Sequence, residues 1–183
     1  MRKRLLELVA CLAVAAPIGT AEAAQHRDFR IAHDVVASVT DYSQFTIFDD
    51  VSVEVENGVA TLTGKVTMPY KRTEIEKRAA AVDGVREVRN GIGVLPVSLF
   101  DNDLRNQIAR SIYGNSNFWD FAIMKNPPIH IVVERGHVTL TGVVRSEVDK
   151  VLARSLANQF GSFSVTSKLK TDAEAINARA ETD

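Results

Sequence analysis

The sequence predicts an α+β protein built from two tandem α-β-β-α-β units, each a three-stranded mixed sheet packed on two helices. Three observations support this prediction. One phrase occurs twice, as GVATLTG at residues 58–64 and as GHVTLTG at residues 136–142, which is an internal repeat. The residues around each phrase alternate between branched apolar and polar side chains, as in a strand buried on one face. Apolar residues at helical spacing lie before and after each phrase.

Each repeated phrase predicts the second strand of a β-hairpin. Asn57-Gly58 and Arg135-Gly136 are two-residue loops in which glycine supplies the positive φ that a tight turn requires. A loop of this length sets the register, so residues of one parity share a face with the core. The residues expected to point inward are Val51, Val53, Val55, Ala60, Leu62, Gly64 and Val66 in the first unit, and Ile129, Ile131, Val133, Val138, Leu140, Gly142 and Val144 in the second.

Several glycines are expected to serve the fold. Gly64 and Gly142 lie in mid-strand on the inward face, where a missing side chain would let a helix pack closely against the sheet. The structural glycines expected from the two copies are Gly58, Gly64, Gly84, Gly136, Gly142 and Gly161.

Helices are predicted before and after each hairpin. Asp101 is expected to cap the N-terminus of the first helix of the second unit. Thr67 with Pro69, and Ser146 with Asp149, are start signals for the helices that follow the hairpins. The expected core stripes are Ile31, Val35, Val39, Ile75, Ala79 and Val82 in the first unit, and Leu104, Ile108, Ile112, Ala153, Ala157 and Phe160 in the second.

A third strand is expected to close each unit after its second helix. Val88, Ile92 and Val94 should face the core in the first unit, and Val165 and Leu169 in the second. A right-handed crossover through the helix makes this strand parallel to the second strand of the hairpin. Each sheet is therefore expected to be mixed.

The succession of these segments resembles the BON domain, a bacterial envelope module that often occurs in tandem. The resemblance lies in a valine-rich strand, the G-[VH]-[AV]-T-L-T-G strand, a helix and the segment GVREVRNGIGV at residues 84–94. It implies BON domains over residues 27–96 and 100–171, followed by a C-terminal tail over residues 172–183. The motif sets a fold and defines no catalytic residues.

The N-terminus predicts a cleaved signal peptide over residues 1–23. Arg2, Lys3 and Arg4 precede an apolar run from Leu5 to Ile18, and the small residues of Ala21-Glu22-Ala23 form a cleavage site. The apolar run is too short, and is interrupted by Glu7 and Pro17, to predict a membrane span. The mature chain is expected to start near Ala24 and to be periplasmic.

Cys11 is the only cysteine, and Leu8-Val9-Ala10-Cys11 offers an alternative reading as a lipoprotein cleavage box. Few apolar residues precede Cys11, and the hydrophobic run continues beyond it. We therefore favour cleavage at Ala23 over lipidation of Cys11. Cleavage there leaves no cysteine, so packing rather than a disulfide must stabilise the fold.

Charge and motif content exclude several classes of function. The chain carries 22 basic and 23 acidic residues, and loss of the leader leaves 19 and 21. A nucleic-acid binder needs a basic excess to neutralise phosphates, so we expect no nucleic-acid partner. The four histidines lack metal-binding spacing, and no phosphate-loop, dinucleotide or nucleophile-elbow motif occurs. We expect no metal, cofactor, small-molecule substrate or enzymatic activity.

The candidate contact residues lie in the second unit, where the copies differ. Both units contain Ser-x-Phe-x-x-Phe before the hairpin, so Phe118 and Phe121 are expected to fill the core. Trp119 replaces Thr46 of the first unit, and five additional residues precede the second hairpin. An amphipathic ring beside a longer apolar loop is a common device at interfaces and lipid headgroups. For Trp119, Ile123 and Met124 the sequence leaves contact and core both open.

Leu152 and Leu156 widen the apolar face of the last predicted helix, where the first unit has Glu74 and Arg78. We expect these leucines to border the first unit or a partner rather than to face water.

The BON resemblance implies a non-enzymatic periplasmic binding protein that contributes to envelope integrity or stress tolerance, through contact with a phospholipid surface. The alternative is an adaptor or chaperone for another envelope protein. In that case the wide helix face of the second unit would be the docking surface.

Overall fold

A computed structural model describes residues 18–180 of the chain, and the side chains of residues 23–177. The first unit contains α1 (Ile18–Thr40), β1 (Asp50–Glu56), β2 (Val59–Val66), α2 (Pro69–Ala80), β3 (Glu87–Asn90) and β4 (Gly93–Val94). The second contains α3 (Leu99–Tyr113), a 3₁₀ helix (Ser116–Phe118), α4 (Trp119–Ala122), β5 (Ile129–Glu134), β6 (His137–Val144), α5 (Glu147–Ala157), β7 (Ser164–Ser167), β8 (Lys170–Thr171) and α6 (Asp172–Ala180).

The predicted α+β fold class is confirmed, with one mixed sheet in each unit. β1 and β2 form an antiparallel hairpin, and β3 and β4 both pair with β2 in parallel. The second unit repeats this arrangement, with β5 antiparallel to β6, and with β7 and β8 parallel to β6. The predicted third strand is thus present in both units as two short pieces. β2 and β6 are the central strands, so β1 and β5 lie at one edge of each sheet, and the short strands that follow the second helix lie at the other edge.

The predicted hairpin registers are also observed. Glu56 pairs with Val59, and Glu134 pairs with His137, across the two-residue loops. Asn57 and Arg135 adopt positive φ ahead of the turn glycines. Two separate hydrophobic cores result, one per unit. They contain the residues predicted for the helix stripes and, apart from Ala60 and the two glycines, those predicted for the inward strand positions.

The expected role of Gly64 and Gly142 is wrong in its physical detail. The atoms nearest to the missing side chains belong to the backbone of the neighbouring chain segment and not to a helix. A Cβ atom on Gly64 would lie 2.1 Å from the carbonyl oxygen of Asp50, and one on Gly142 would lie 1.8 Å from that of Pro128. Both glycines have positive φ values, +120° and +114°, which residues with a side chain rarely adopt. They therefore let the neighbouring strand's backbone pass close by. Gly84 is the glycine that makes room for a helix, because Ile31 of α1 fills the space beside it.

The prediction that Asp101 caps α3 is wrong as well. Ser98 is the N-cap, and its hydroxyl accepts a hydrogen bond from the amide of Asp101. The carboxylate of Asp101 is directed instead to the turn of its own hairpin, where it accepts from the amides of Arg135 and Gly136. A buried carboxylate can be kept at this position because two backbone donors satisfy it.

The predicted signal peptide lies largely outside the described residues. Residues 1–17 are not described, and residues 18–23 form the first part of α1. At the other end, the tail begins α6 at Asp172. Glu174 of α6 accepts from the amide of Thr171 and pairs with Lys150 of α5, which fastens this helix to the second unit.

The two units contact each other at the edge of the second sheet. The amide of Ile131 in β5 donates to the carbonyl oxygen of Ile47 at 2.7 Å. Ile47 and Phe48 of the first unit also pack against the core of the second. Lys65 of β2 forms an ion pair of 3.3 Å with Glu134. The first unit therefore covers β5, and the second core is completed by residues from the first.

Candidate functional site

The candidate site is the segment from Trp119 to Pro128, which follows two buried aromatic residues. Phe118 is fully buried and Phe121 nearly so, and their rings stack with centroids 6.0 Å apart. Both belong to the core of the second unit, as predicted. They hold the short helix α4 on the body of the protein, and the side chains between and after them must point elsewhere.

Trp119, Ile123 and Met124 point into solvent. Their exposed fractions are 68%, 87% and 47%. The sequence left core and contact open for these three residues, and the structure places none of them in the core. An exposed group of large apolar side chains on an ordered element is a feature that marks interaction surfaces. We refer to Trp119, Ile123 and Met124 as the apolar tip.

Arg145 fastens the apolar tip to the start of α5. Its guanidinium lies over the ring of Phe121, 5.0 Å from the centroid, and donates to the carbonyl oxygen of Asn117. It also pairs with Asp120 at 3.5 Å and with Asp149 at 3.2 Å. One cation thus joins the 3₁₀ helix, α4 and α5. Arg145, Asp120 and Asp149 carry one positive and two negative charges, so this cluster has no positive excess.

The far end of the segment is tied to the first unit. Lys125 forms a 2.8 Å ion pair with Asp41, which follows α1. The hydrogen bond and the charge of Lys125 hold the pKa of the Asp41 carboxyl below its ordinary value. Pro127 and Pro128 fix the backbone φ ahead of β5, and the carbonyl of Pro128 accepts from the amide of Val143. The segment is therefore held at both ends.

Leu152 and Leu156 occupy a different environment from the apolar tip. Both are half-buried and pack against the core of the second unit, which accounts for the wide apolar face of α5. The exposed apolar residues of α5 are Val148 and Val151. Sequence reasoning did not single them out, although their counterparts Tyr70 and Thr73 in the first unit offered a comparison. Val148 lies three residues after Arg145, on the helix to which the tip is fastened.

An exposed aromatic pair in the second unit was not predicted. Phe100 in the first turn of α3 stacks on Phe163 at a centroid distance of 6.4 Å, and both are largely exposed. The ring of Phe163 lies over the turn, where a Cβ on Gly136 would come within 2.7 Å. The amide of Phe163 donates to the carbonyl oxygen of Gly136 at 2.8 Å. This pair protects the hairpin turn of the second unit, and no periodic pattern in the sequence marks it.

The histidines of the hairpin are separated as the register predicts. His130 pairs with Thr141, and its Nδ1 atom lies 2.6 Å from the carbonyl oxygen of Asp49. The Nδ1 atom of His137 lies 2.8 Å from the hydroxyl of Ser164. Within the residues that the structure describes, no group of three or more His, Cys, Asp or Glu side chains is arranged to hold a metal ion. No helix in residues 18–180 is both long and apolar enough to cross a membrane.

Comparison with protein families decides the classification. The model of the BON domain matches the chain twice, at residues 27–96 and at residues 101–173. The chain belongs to the BON domain family. BON domains are known as binding domains rather than catalytic ones, and the two matches coincide with the two structural units. No curated protein matches this sequence significantly.

Two solved structures that resemble this BON protein come from one bacterial protein. One is the C-terminal domain of CdsD, a structural protein of the type III secretion system of Chlamydia trachomatis. It is 17% identical, with a TM-score of 0.34 over 81% of this chain and 68% of the other. A second structure of CdsD is 11% identical, with a TM-score of 0.30 over 82% of this chain and 97% of the other.

Proposed function

We propose that this tandem BON protein is a non-enzymatic binding protein of the bacterial periplasm that contacts phospholipid surfaces through the apolar tip. The observation that supports this most strongly is the exposure of Trp119, Ile123 and Met124 on an element anchored by Phe118 and Phe121. The first unit has no tryptophan, and residue 46 is a threonine at the corresponding position. The second unit is thus the lipid-contacting one.

The side-chain chemistry of the tip suits the boundary between headgroups and acyl chains. Tryptophan places an apolar body in the boundary while its indole N–H stays with polar groups. Ile123 and Met124 add apolar area that gains free energy on leaving water, roughly 25 cal/mol per Å². Because Arg145 is paired with two carboxylates, Asp120 and Asp149, this cluster has no positive excess and attraction to anionic lipid contributes little. Binding should therefore occur on zwitterionic and anionic surfaces alike.

We propose a periplasmic location, which fits this role. A leader over residues 1–23 with a charged start, an apolar middle and small residues at its end directs export. Contact with an envelope membrane from that compartment fits a contribution to envelope integrity or stress tolerance. Leu152 and Leu156 support the tip indirectly, through the packing of α5, rather than as contact residues.

The second candidate is an adaptor or chaperone for another envelope protein. The exposed valines of α5, Val148 and Val151, favour this candidate, because two branched side chains on a regular helix suit a protein groove better than a fluid surface. In this case the partner would bury α5 together with the tip.

Flotation of the mature protein with liposomes separates the two candidates. We expect the wild type to float with phosphatidylcholine vesicles and with mixed phosphatidylcholine and phosphatidylglycerol vesicles. An Ile123→Glu/Met124→Glu variant should remain at the bottom, because burying two carboxylates in the boundary is costly. Val97→Glu is the matched control, since Val97 is an exposed apolar residue of the linker between the units. Absence of flotation by the wild type, with a cross-linked protein recovered through α5, would favour the adaptor.

A further inference from the structure

The outer edge of β1 in the first unit has a free row of backbone groups. We propose that this edge binds an extended segment of another protein, one whose side chains alternate between apolar and basic, and thereby gains an additional strand. The site lies in the first unit and does not involve the apolar tip, so it is independent of the proposed lipid contact. The two copies of the fold differ at this edge.

In the second unit, the corresponding edge of β5 is covered. The amide of Ile131 donates to Ile47 from the first unit at 2.7 Å. The hydroxyl of Tyr113 donates to the carbonyl oxygen of Ile129 at 2.6 Å and accepts from its amide at 3.2 Å. The guanidinium of Arg105 donates to the carbonyl oxygen of Val133 at 2.8 Å. Every outward-facing residue of this edge therefore has a partner.

The first unit lacks the side chains that cover the edge of β5. The core stripe of α1 corresponds to that of α3 at a constant offset of 73 residues, for example Ile31 with Leu104. This offset places Ala32 where the second unit has Arg105, and Thr40 where it has Tyr113. Alanine has no polar group to offer. The hydroxyl of Thr40 donates within its own helix, to carbonyl oxygens at 2.9 and 3.1 Å.

The register shows that the free groups point outward. Val53 pairs with Leu62 as Ile131 pairs with Leu140, so the amide of Val53 is directed away from β2, as that of Ile131 is directed away from β6. Val55 has the same parity. Within residues 18–180, the outward backbone groups of Val53 and Val55 have no hydrogen-bond partner. Both side chains are half-buried, whereas Ile131 and Val133 are fully buried.

A groove lies between α1 and the C-terminal end of β1. Its volume is about 620 Å³, and it is lined on the strand side by residues 54–57. On the helix side, Phe29, Ala24 and Ala32 line it together with Gln25 and Asp28. An unpaired strand beside an apolar groove is the arrangement that accepts an added strand, because backbone hydrogen bonds supply affinity and the groove takes alternate side chains.

Charge determines which segment fits. Glu54 and Glu56 are exposed on the strand, and neither forms an ion pair within the described residues. At the covered edge, the counterpart of Glu56 is Glu134, which pairs with Lys65 of the covering unit. A second copy of β1 is a poor occupant, because antiparallel self-pairing would bring glutamates of the two strands together. A segment with lysine or arginine at alternate positions meets the same carboxylates favourably.

The test uses the mature chain, which starts near Ala24, with both units present. The probe is a fluorescent peptide of alternating valine and lysine that is blocked at both ends and is long enough to span β1. Fluorescence anisotropy should show saturable binding to the wild type. Ala32→Arg restores the residue that closes the edge in the second unit, so it should weaken binding by at least about tenfold. Ala37→Arg adds the same charge at an exposed position of α1 and should bind the peptide as the wild type does.

Backbone pairing is tested on the wild type alone, which does not depend on the folding of a variant. In an added strand, every second amide of the peptide points toward β1 and the others point away. N-methylation of the amides that point toward β1 should abolish binding, and N-methylation of the others should leave binding unchanged. The amide of Val53 should exchange with solvent faster than that of Ile131, and slow down when the peptide binds. Equal binding by Ala32→Arg, equal effects of the two methylated sets, or self-association of the chain without peptide binding would each overturn the proposal. Flotation with liposomes is unaffected by either result.

Discussion

One carboxylate oxygen of Asp101 accepts a hydrogen bond of 2.8 Å from the amide of Gly136, and the other accepts one of 2.8 Å from Arg135. The side chain is only 1% exposed. Asp28 of the first unit makes the same pair of contacts with its own hairpin turn, at Asn57 and Gly58. In each unit, the first helix therefore holds the turn of the sheet through a buried carboxylate.

Replacing Asp101 should destabilise the second unit. Asp101→Ala leaves two backbone amides of the turn without their acceptor, which should lower the free energy of unfolding by about 3 kcal/mol. Asp103→Ala on the exposed side of the same helix is the control and should change it by less than about 0.5 kcal/mol. Urea unfolding followed by circular dichroism measures both. Similar values for the two variants would show that the carboxylate does not hold the turn.

The sequence predicted much of the fold because the strand and helix patterns are local. The hairpin register follows from the Asn57-Gly58 and Arg135-Gly136 loops, and the cores follow from periodicity. The role of Asp101 was missed because its partners lie 34 and 35 residues away. The repeat did contain a signal, since Asp28 and Asp101 occupy equivalent positions ahead of the two stripes.

The mid-strand glycines should tolerate no side chain. Gly142→Ala places a Cβ against the carbonyl oxygen of Pro128 and imposes φ near +114° on alanine. Backbone strain and overpacking together should cost about 3 kcal/mol or more of stability. Gly64→Ala should cost a similar amount of stability, because its Cβ would lie against the carbonyl oxygen of Asp50.

Gly161→Ala is the control for the glycine variants. It has a positive φ of +71° but no atom within 4 Å of an added Cβ, so it should cost only about 1 kcal/mol. Thr63→Val, on the exposed face of β2, should cost little. Equal losses for Gly142→Ala and Gly161→Ala, measured by chemical unfolding, would show that the close strand passage is unimportant.

The leucines and the valines of α5 should respond differently to charge. Leu152→Glu/Leu156→Glu should lower the free energy of unfolding of the second unit, by roughly 2 kcal/mol or more for each leucine. The reason is that both leucines pack on its core. Val148→Glu/Val151→Glu, at exposed positions, should leave the melting temperature nearly unchanged. If the leucine variant stays fully folded and loses only a binding activity, the leucines are contact residues after all.

The tether between Lys125 and Asp41 should weaken in acid. The pKa of Asp41 is lowered by its hydrogen bond and charge interaction with Lys125, so the tether is present above the ordinary aspartate range and is lost as pH falls through the lowered value. At a pH below the lowered pKa of Asp41, NMR relaxation should report greater mobility of residues 123–126. Asp41→Asn should show that mobility at neutral pH, with little change in global stability because the pair is exposed. Unchanged relaxation in both experiments would show that the prolines alone position the segment.

Sequence comparison between the copies located the candidate site but not the direction of its side chains. The replacement of Thr46 by Trp119 and the longer loop marked the segment. Exposure of Trp119 depends on which residues of α4 contact the core, and Phe118 and Phe121 decide this through tertiary packing. The same limit applies to Leu152, whose apolar character reflects the larger core of its own unit.

The emission of Trp119 tests the proposed lipid contact most directly, because it is the only tryptophan in the chain. In the free protein an indole that is 68% exposed should emit near the wavelength of tryptophan in water. Addition of phosphatidylcholine vesicles should shift the emission to the blue, and Met124→Glu should abolish that shift. Emission that is already blue in the free protein and unaffected by any vesicle would contradict the proposal and assign Trp119 to the interior.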